Sequence, residues 1–357
     1  MSLLKRMVET PLYIDIRKGA LNDLASVLAD QRISAGGHFA IVMSKSGKDK
    51  FSEQIKKSAP NADLFISPGN SLQDATKLAD DLKSKKYDAI VGVGGGRVID
   101  LCKYVATKLE VPMISVATNL AHDGIASPVS ILEDKNSRGS FGVNAPLAVV
   151  IDLDVVKLAP NRFLKAGIGD VFSNLSAVKD WELATKVNGE KIDGLAASMA
   201  RISAEALLGR PDSIGSEEFL VALSEALVLS GIAMGIAGTS RPCSGACHEI
   251  SHAIDLLFPE RTKPHGEQVG VGALFATFLR DGFDSFQELG FALLQHDLPI
   301  SHIDLGFSDE EFGQVIKSAP TTRPDRFTIL EHLNLDDKQI KEKISEFNEA
   351  LKSINFN

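Results

Sequence analysis

Cysteine is scarce in this chain, which has only Cys102, Cys243 and Cys247 among its 357 residues. Three thiols do not make a disulfide framework, so a reducing, cytoplasmic setting is expected. Tryptophan occurs once and tyrosine three times, and no basic patch interleaved with aromatics appears. A net charge of −9 and a pI near 5.5 argue against nucleic acid or anionic membrane as the main partner. The opening MSLLKRMVETPLYIDIRKG lacks the long apolar core of a secretory signal. One apolar run, Phe219 to Gly238, reaches membrane-spanning length with a single charge, Glu225. Ser224, Glu225 and Ser230 interrupt it, and its Ala/Gly-rich half suits burial among helices. It is read as the central core helix of a helical domain, with no membrane insertion. No internal repeat and no low-complexity segment is found.

What the chain does have is an ordinary globular composition, 44% hydrophobic and 24% charged, at a length that allows two domains. Up to about Asp154, short apolar runs alternate with amphipathic stretches. Strands are expected at Phe39–Ser44, Asp63–Pro68, Tyr87–Gly94 and Met113–Thr118. Helices are expected between them, near 48–58, 72–85 and 98–109. That alternation implies a parallel sheet covered on both faces. Val129–Glu133 and Ala148–Leu153, separated by the polar NSRGSFGVN, read as an appended hairpin. After Leu158 the strand signals stop, and helices are expected at 170–186, 193–209, 217–236, 245–257, 267–281, 284–295, 309–319 and 336–353. The fold class is thus an N-terminal Rossmann-like α/β domain, 1–158, followed by an all-α C-terminal domain, 159–357.

Two regions carry chemistry. Gly92-Val93-Gly94-Gly95-Gly96-Arg97 ends a strand and opens a helix, where backbone N–H groups and the helix dipole can meet a pyrophosphate. The usual G-x-G-x-x-G would need glycine at Arg97, so a plain strand-to-helix turn stays open, as does a dipole-stabilising role for Asp100. The next strand ends in the polar loop Thr118–Pro128, at the carboxyl edge where open sheets bind ligands. His122 could be a satisfied loop histidine there, and Asp123-Gly124 a simple turn.

The second region holds three of the eight histidines, His248, His252 and His265. His248 and His252 are four apart and share a helix face, and Pro264 breaks the chain before His265. Such a cluster suits a divalent metal or a proton relay, against the alternative of two surface histidines and one loop histidine. His248-Glu249-Ile250-Ser251-His252 also satisfies the H-E-x-x-H pattern of zinc proteases. Asp255 and Phe258 stand where a metzincin has glycine and histidine, which excludes that longer form. The dinucleotide-binding half argues against any protease. Cys243 and Cys247 lie near His248, where soft-metal ligation competes with burial as small hydrophobes.

Taken in order, GGGRVID, TNLAHDGIASP, GIGD, HEISHAID and KPHGEQVG resemble the sn-glycerol-1-phosphate dehydrogenases. These belong with metal-dependent alcohol dehydrogenases, glycerol dehydrogenase and dehydroquinate synthase. The resemblance runs from the first strand to about residue 280, and it implies a dehydroquinate synthase-like fold. It implies one zinc per chain on Asp170, His248 and His265, and substrate or catalytic contacts at Asp123, Asp170 and His252. It implies NAD(P)H contacts at Gly94, Gly95, Gly96, Arg97, Val98, Ile99, Asp100, Thr118, Asn119, Leu120, Ala121 and Ser127. Leu120 departs from the small or polar residue expected there. Without the resemblance, Asp170 reads as the N-cap of the helix that follows it.

The activity implied is reduction of dihydroxyacetone phosphate to sn-glycerol 1-phosphate, in a homo-oligomer. The alternatives are a glycerol dehydrogenase, a dehydroquinate-synthase-like lyase and an H-E-x-x-H protease. Arg138 in the hairpin is a candidate for the substrate phosphate. Ser44-Lys45-Ser46-Gly47-Lys48, free of carboxylates after the early strand, suggests use of both cofactors with NADPH favoured.

Overall fold

The computed structural model describes residues 8, 10–34, 36–134 and 137–354, with the side chains of Ser137 and Arg138 also outside the description. Eight strands appear among the described residues: β1 Tyr13–Arg17, β2 Phe39–Met43, β3 Asp63–Ile66, β4 Ala89–Gly94, β5 Met113–Ala117, β6 Val129–Asp134, β7 Ser137–Gly142 and β8 Ala148–Asp152. Six of them form one parallel sheet in the order β1-β8-β5-β4-β2-β3. Every residue of β2, β4, β5 and β8 is buried, as near-continuous apolar strands in a doubly covered parallel sheet must be. The chain moves outward from β2 to β3 and returns on the other side of β2 to β4. That reversal makes a switch point at the carboxyl ends of β2 and β4, where the glycine turn begins.

The helices of this half start where the sequence offers caps. Ser44 accepts a hydrogen bond from the Gly47 N–H at 3.0 Å ahead of Lys45–Ser58. Ser71 and Asp74 form a capping box ahead of Leu72–Lys83.

Two expectations about this half are corrected. The hairpin is β6 with β7, paired antiparallel from Val129↔Gly142 to Asp134↔Ser137, so the polar NSRGSFGVN segment itself supplies the second strand. Ala148–Asp152 instead enters the main sheet between β1 and β5, because an apolar five-residue run can be covered on both faces there. Edge strand β1, with only one fully buried residue, gave no apolar run to detect.

Two compact units result, Met1–Pro160 with Gly215–Gly238, and Asn161–Ile214 with Thr239–Asn357. The helix Glu217–Ala237 is thus largely buried but belongs with the α/β unit, not with the helical one. Gly231 lets it press on the loop after β5: a Cβ there would lie 2.6 Å from the Ala126 carbonyl carbon. It is also the one described helix long and apolar enough to cross a membrane, and 72% of its apolar window is buried.

Among the described residues of the second unit, the regular elements are all helices. Its two principal helices, Asn161–Asn188 and His265–Arg280, cross closely beside Ala246–Leu257. The remaining helices are Gly194–Glu205, Phe283–Gln295, Asp309–Ser318, Ile329–Leu333 and Asp337–Leu351.

Candidate active site

In the first unit, the turn after β4 leads into the helix Gly96–Leu109, with Gly95 as its N-cap. Thr118 donates its N–H to the Gly94 carbonyl at 3.0 Å, which ties the end of β5 to the glycine turn. Side chains crowd this turn closely. A Cβ at Gly95 would meet Asn119 Nδ2 at 2.3 Å, and one at Gly96 would meet His122 Nε2 at 1.9 Å. A side chain at either position would displace Asn119 or His122 from the turn.

Of the positions implied for the cofactor, Val98, Ile99, Asp100, Leu120 and Ser127 are buried and Arg97 is exposed. Val98 and Ile99 already spend their N–H groups on the Gly95 carbonyl, at 3.0 and 3.2 Å. An anion at the helix start is left with the N–H groups of the first helical residues.

Asp123 opens a short 3₁₀ turn, Asp123–Ile125, capped by His122. His122 Nδ1 accepts the Gly124 N–H at 3.0 Å, so the ring is protonated on Nε2, toward Gly96. Burial lowers its pKa, outweighing the pull of Asp100. Beneath this loop lies Lys103, fully buried, which donates to the carbonyls of Gly124 at 2.8 Å, Ser127 at 3.3 Å and also Val129. Its ammonium meets Asp100 Oδ1 at 2.9 Å, as a charge contact rather than an aligned hydrogen bond. Lys103 went unnoticed in the sequence. The signal was a lysine one turn after Asp100 on an otherwise apolar helix face. Burial pushes Asp123 up to about 7, with Lys103 opposing and Asp100 reinforcing the shift.

In the second unit, one ligand atom each from Asp170, His248 and His265 lie within 4.8 Å of one another. Asp170 sits in mid-helix, buried, so the N-cap alternative fails: Gly167-Ile168-Gly169 is not a turn but part of Asn161–Asn188. Its glycines serve contact instead. A Cβ at Gly169 would lie 2.2 Å from the Gly266 carbonyl oxygen, and one at Gly266 would lie 1.6 Å from that of Ala166. Only with both does His265, the first residue of its helix, come within 3.7 Å of Asp170. His248 Nε2 and His265 Nε2 stand 3.3 Å apart. That separation suits two imidazoles on one first-row ion at roughly 2.1 Å each.

The outer nitrogens of these rings are held as ligation needs. His265 Nδ1 lies 3.2 Å from Ser251 Oγ, which Gln268 Nε2 fixes at 2.9 Å, and His248 Nδ1 lies 3.3 Å from Cys247 Sγ. Burial, and then the neighbouring His265, hold His248 well below its ordinary pKa, keeping its lone pair available. Burial raises the Cys247 thiol to about 12, and the cluster of possible metal ligands among the described residues leaves this cysteine out.

His252 lies on the same helix, its ring centroid 6.3 Å from that of His248, and its Nδ1 faces Arg323 Nε at 3.5 Å. Glu249 points elsewhere. It is fully buried, within 3.0 Å of Thr328 Oγ, and burial with Glu331 and Asp180 nearby pushes it up to about 9. It therefore cannot be the water-activating base that the protease pattern requires. The sequence also gave no hint of Asp180, which is fully buried. It accepts from Ala246 N at 2.8 Å and Ile329 N at 3.0 Å and pairs with Arg280 at 2.5 Å, anchoring the start of the histidine helix.

Comparisons with known proteins agree with this layout. The family model described as iron-containing alcohol dehydrogenase matches residues 15–160. Glycerol-1-phosphate dehydrogenase, NAD(P)+, of Methanosarcina mazei is 35% identical over 331 residues, covering 91% of this chain and 92% of its own. The enzyme of that name from Hyperthermus butylicus is 35% identical, covering 90% and 93%. In fold, the chain is similar to a probable glycerol dehydrogenase from Sinorhizobium meliloti 1021, with TM-score 0.80, 21% identity and coverage of 98% and 100%.

The metal expectation is corrected here. The matching family is named for iron, so iron(II) replaces the zinc implied by the earlier resemblance. Two imidazoles and one carboxylate with open positions are also the donor set of non-haem iron(II) sites. By its identity to these relatives over nine-tenths of its length, the chain belongs to the NAD(P)-dependent glycerol-1-phosphate dehydrogenase family.

Proposed function

We propose that this chain reduces dihydroxyacetone phosphate to sn-glycerol 1-phosphate with NAD(P)H, NADPH being favoured. The observation that carries the reading is the convergence of Asp170, His248 and His265, with His252 one turn along the same helix. When bound there, iron(II) supplies Lewis-acid polarisation of a ketone oxygen. Asp170, His248 and His265 would hold it. His252 accepts from Arg323 on Nδ1, so its proton sits on Nε2 and is available to the alkoxide oxygen, directly or through a substrate hydroxyl or water.

The dinucleotide is assigned to Gly94, Gly95, Gly96, Arg97, Val98, Ile99, Asp100, Thr118, Asn119, Leu120, Ala121 and Ser127. The N–H groups at the helix start take its pyrophosphate. Asp123, Asp170 and His252 are assigned to the substrate. Residues 1–158 are assigned to dinucleotide binding and 159–357 to the metal and the substrate contacts Asp170 and His252, a division that the two compact units support except at Glu217–Ala237, which groups with the first. Lys45, exposed at the start of the helix after β2, is placed to favour the 2′-phosphate of NADPH. Three buried thiols outside any disulfide support a cytoplasmic enzyme. Exposed Leu195, Ile202 and Phe283 support a homo-oligomer.

The test is reduction of dihydroxyacetone phosphate by the iron-loaded protein, with chiral analysis of the product. sn-Glycerol 1-phosphate is expected, along with loss of metal in His248→Ala and His265→Ala. His252→Ala should keep metal while turnover falls about 10²-fold or more. Formation of sn-glycerol 3-phosphate, or faster turnover of unphosphorylated glycerol, would overturn the reading in favour of a glycerol dehydrogenase.

A further inference from the structure

Among the described buried and half-buried arginines of the helical unit, Arg210, Arg241 and Arg280 meet carboxylates, whereas Arg323 and Arg326 do not. Arg241 pairs with Glu190, and Arg280 with Asp180 and Asp281. Arg326, which is buried, donates to the Ser244 carbonyl and to Ser240 Oγ at 3.1 Å. Arg323 is different. It is half-buried, and its one hydrogen bond is the 3.5 Å contact from Nε to His252. No carboxylate lies within salt-bridge reach of it among the described residues. A guanidinium drawn out of water without an anion is costly, and such a group is retained where an anion arrives.

The backbone that carries Arg323 is held firmly. Thr322 Oγ donates to the Ala319 carbonyl at 2.8 Å, beside the Glu249 carbonyl at 3.5 Å on the histidine helix. Ile329 N is bound by Asp180, and Arg326 is anchored as described. The side chain is thus presented from a fixed segment, with Nε committed to His252 and the two terminal nitrogens left for a ligand. That fork matches two oxygens of a phosphate.

We propose that Arg323 binds the phosphate of the substrate, gripping it with both terminal nitrogens while Nε orients His252. This assignment rests on the functional reading above and supplies what that reading lacks, a residue that separates a phosphorylated three-carbon ketone from its unphosphorylated form. It is proposed in place of Arg138, which stands on β7 opposite Glu133.

The experiment compares the iron-loaded full chain with Arg323→Gln and Arg323→Lys, using dihydroxyacetone phosphate and dihydroxyacetone as substrates. Inorganic phosphate serves as a dead-end inhibitor. Metal content, thermal midpoint and NADPH fluorescence titration are followed in parallel. Arg323→Gln is expected to lose on the order of 100-fold in kcat/KM for the phosphorylated substrate, mainly in KM. Dihydroxyacetone shares the loss of the Nε contact to His252 but not that of the phosphate grip, so it should lose far less, and the ratio of the two kcat/KM values should fall by about ten-fold or more. Arg323→Lys should recover part of the loss, since a point charge replaces the fork. Inhibition by inorganic phosphate should weaken in the same order.

An equal fall in kcat/KM for both substrates would overturn the proposal and leave Arg323 as a positioning residue for His252. Unchanged phosphate preference in both variants would overturn it as well, while sparing the functional reading. If the wild-type protein itself does not prefer the phosphorylated substrate, the functional reading fails and this assignment falls with it. Should Arg323→Gln not fold, Arg323→Lys and wild-type inhibition by phosphate still decide. Wild-type insensitivity to phosphate then counts against the proposal.

Discussion

A single carboxyl shows how burial tunes this chain. Asp123 sits on a loop whose carbonyls are gathered by Lys103, yet the enclosure outweighs that cation and raises the acid to about 7. A carboxyl raised in the folded state contributes stability that is fully present below its unfolded value of 3.8. That contribution is lost as pH rises toward about 7. In metal-free and cofactor-free protein, Asp123→Asn should therefore raise Tm relative to wild type at pH 8, with the gap closing near pH 4. Equal shifts at both pH values would show that the carboxyl is not perturbed by folding. His122, Lys103 and Asp180 belong to the same lesson. Their roles were not legible because their partners are carbonyls, glycines and backbone N–H groups, and those of Asp180 lie 66 and 149 residues away. Short-range residue patterns do not encode such distances.

Among the elements, glycine placement decides whether the site exists. The stretch Gly167–Asp170 reads as a turn because it is glycine-rich. The structure spends Gly169 and Gly266 on a helix crossing too tight for any side chain. Gly266→Ala would place a methyl 1.6 Å from the Ala166 carbonyl oxygen, a backbone atom that cannot swing aside. The helices must separate, at a cost above about 3 kcal/mol, and His265 must leave Asp170. Loss of bound metal and a lower Tm are expected. Gly282→Ala, where a Cβ meets nothing within 4 Å, is the control. Retention of metal by Gly266→Ala would show that the crossing does not hold the ligands together. Elements with a clear apolar period were read correctly, including the strands 39–43 and 113–117 and the helix 246–257. The error at Ala148–Asp152 arose because a run buried on both faces looks alike in a hairpin and in a parallel sheet.

At the scale of the whole molecule, the groups assigned to the two ligands lie in separate compact units. Every residue proposed for the dinucleotide falls within 1–160, and the three candidate metal ligands fall within the helical unit. That segregation was visible in the sequence as strands giving way to helices after Leu158. Only the helix Glu217–Ala237 crossed over, since its uniform apolarity says that it is buried but not against what. The consequence is separable loss. Chelation would remove the ion that Asp170, His248 and His265 would hold, side chains borne by Asn161–Asn188, Ala246–Leu257 and His265–Arg280. An ion present at about 100 times its Kd contributes about 2.7 kcal/mol. Its removal should lower Tm by roughly 5–10 °C for a unit of this size. NADPH should still quench or enhance fluorescence with a Kd within about three-fold of the metal-loaded protein, because the phosphate contacts proposed for it are backbone N–H groups far in sequence from the candidate metal ligands. Activity should return on anaerobic addition of iron(II). Loss of NADPH binding together with the metal would show instead that the ion orders the glycine turn, and that the two units do not bind their ligands independently.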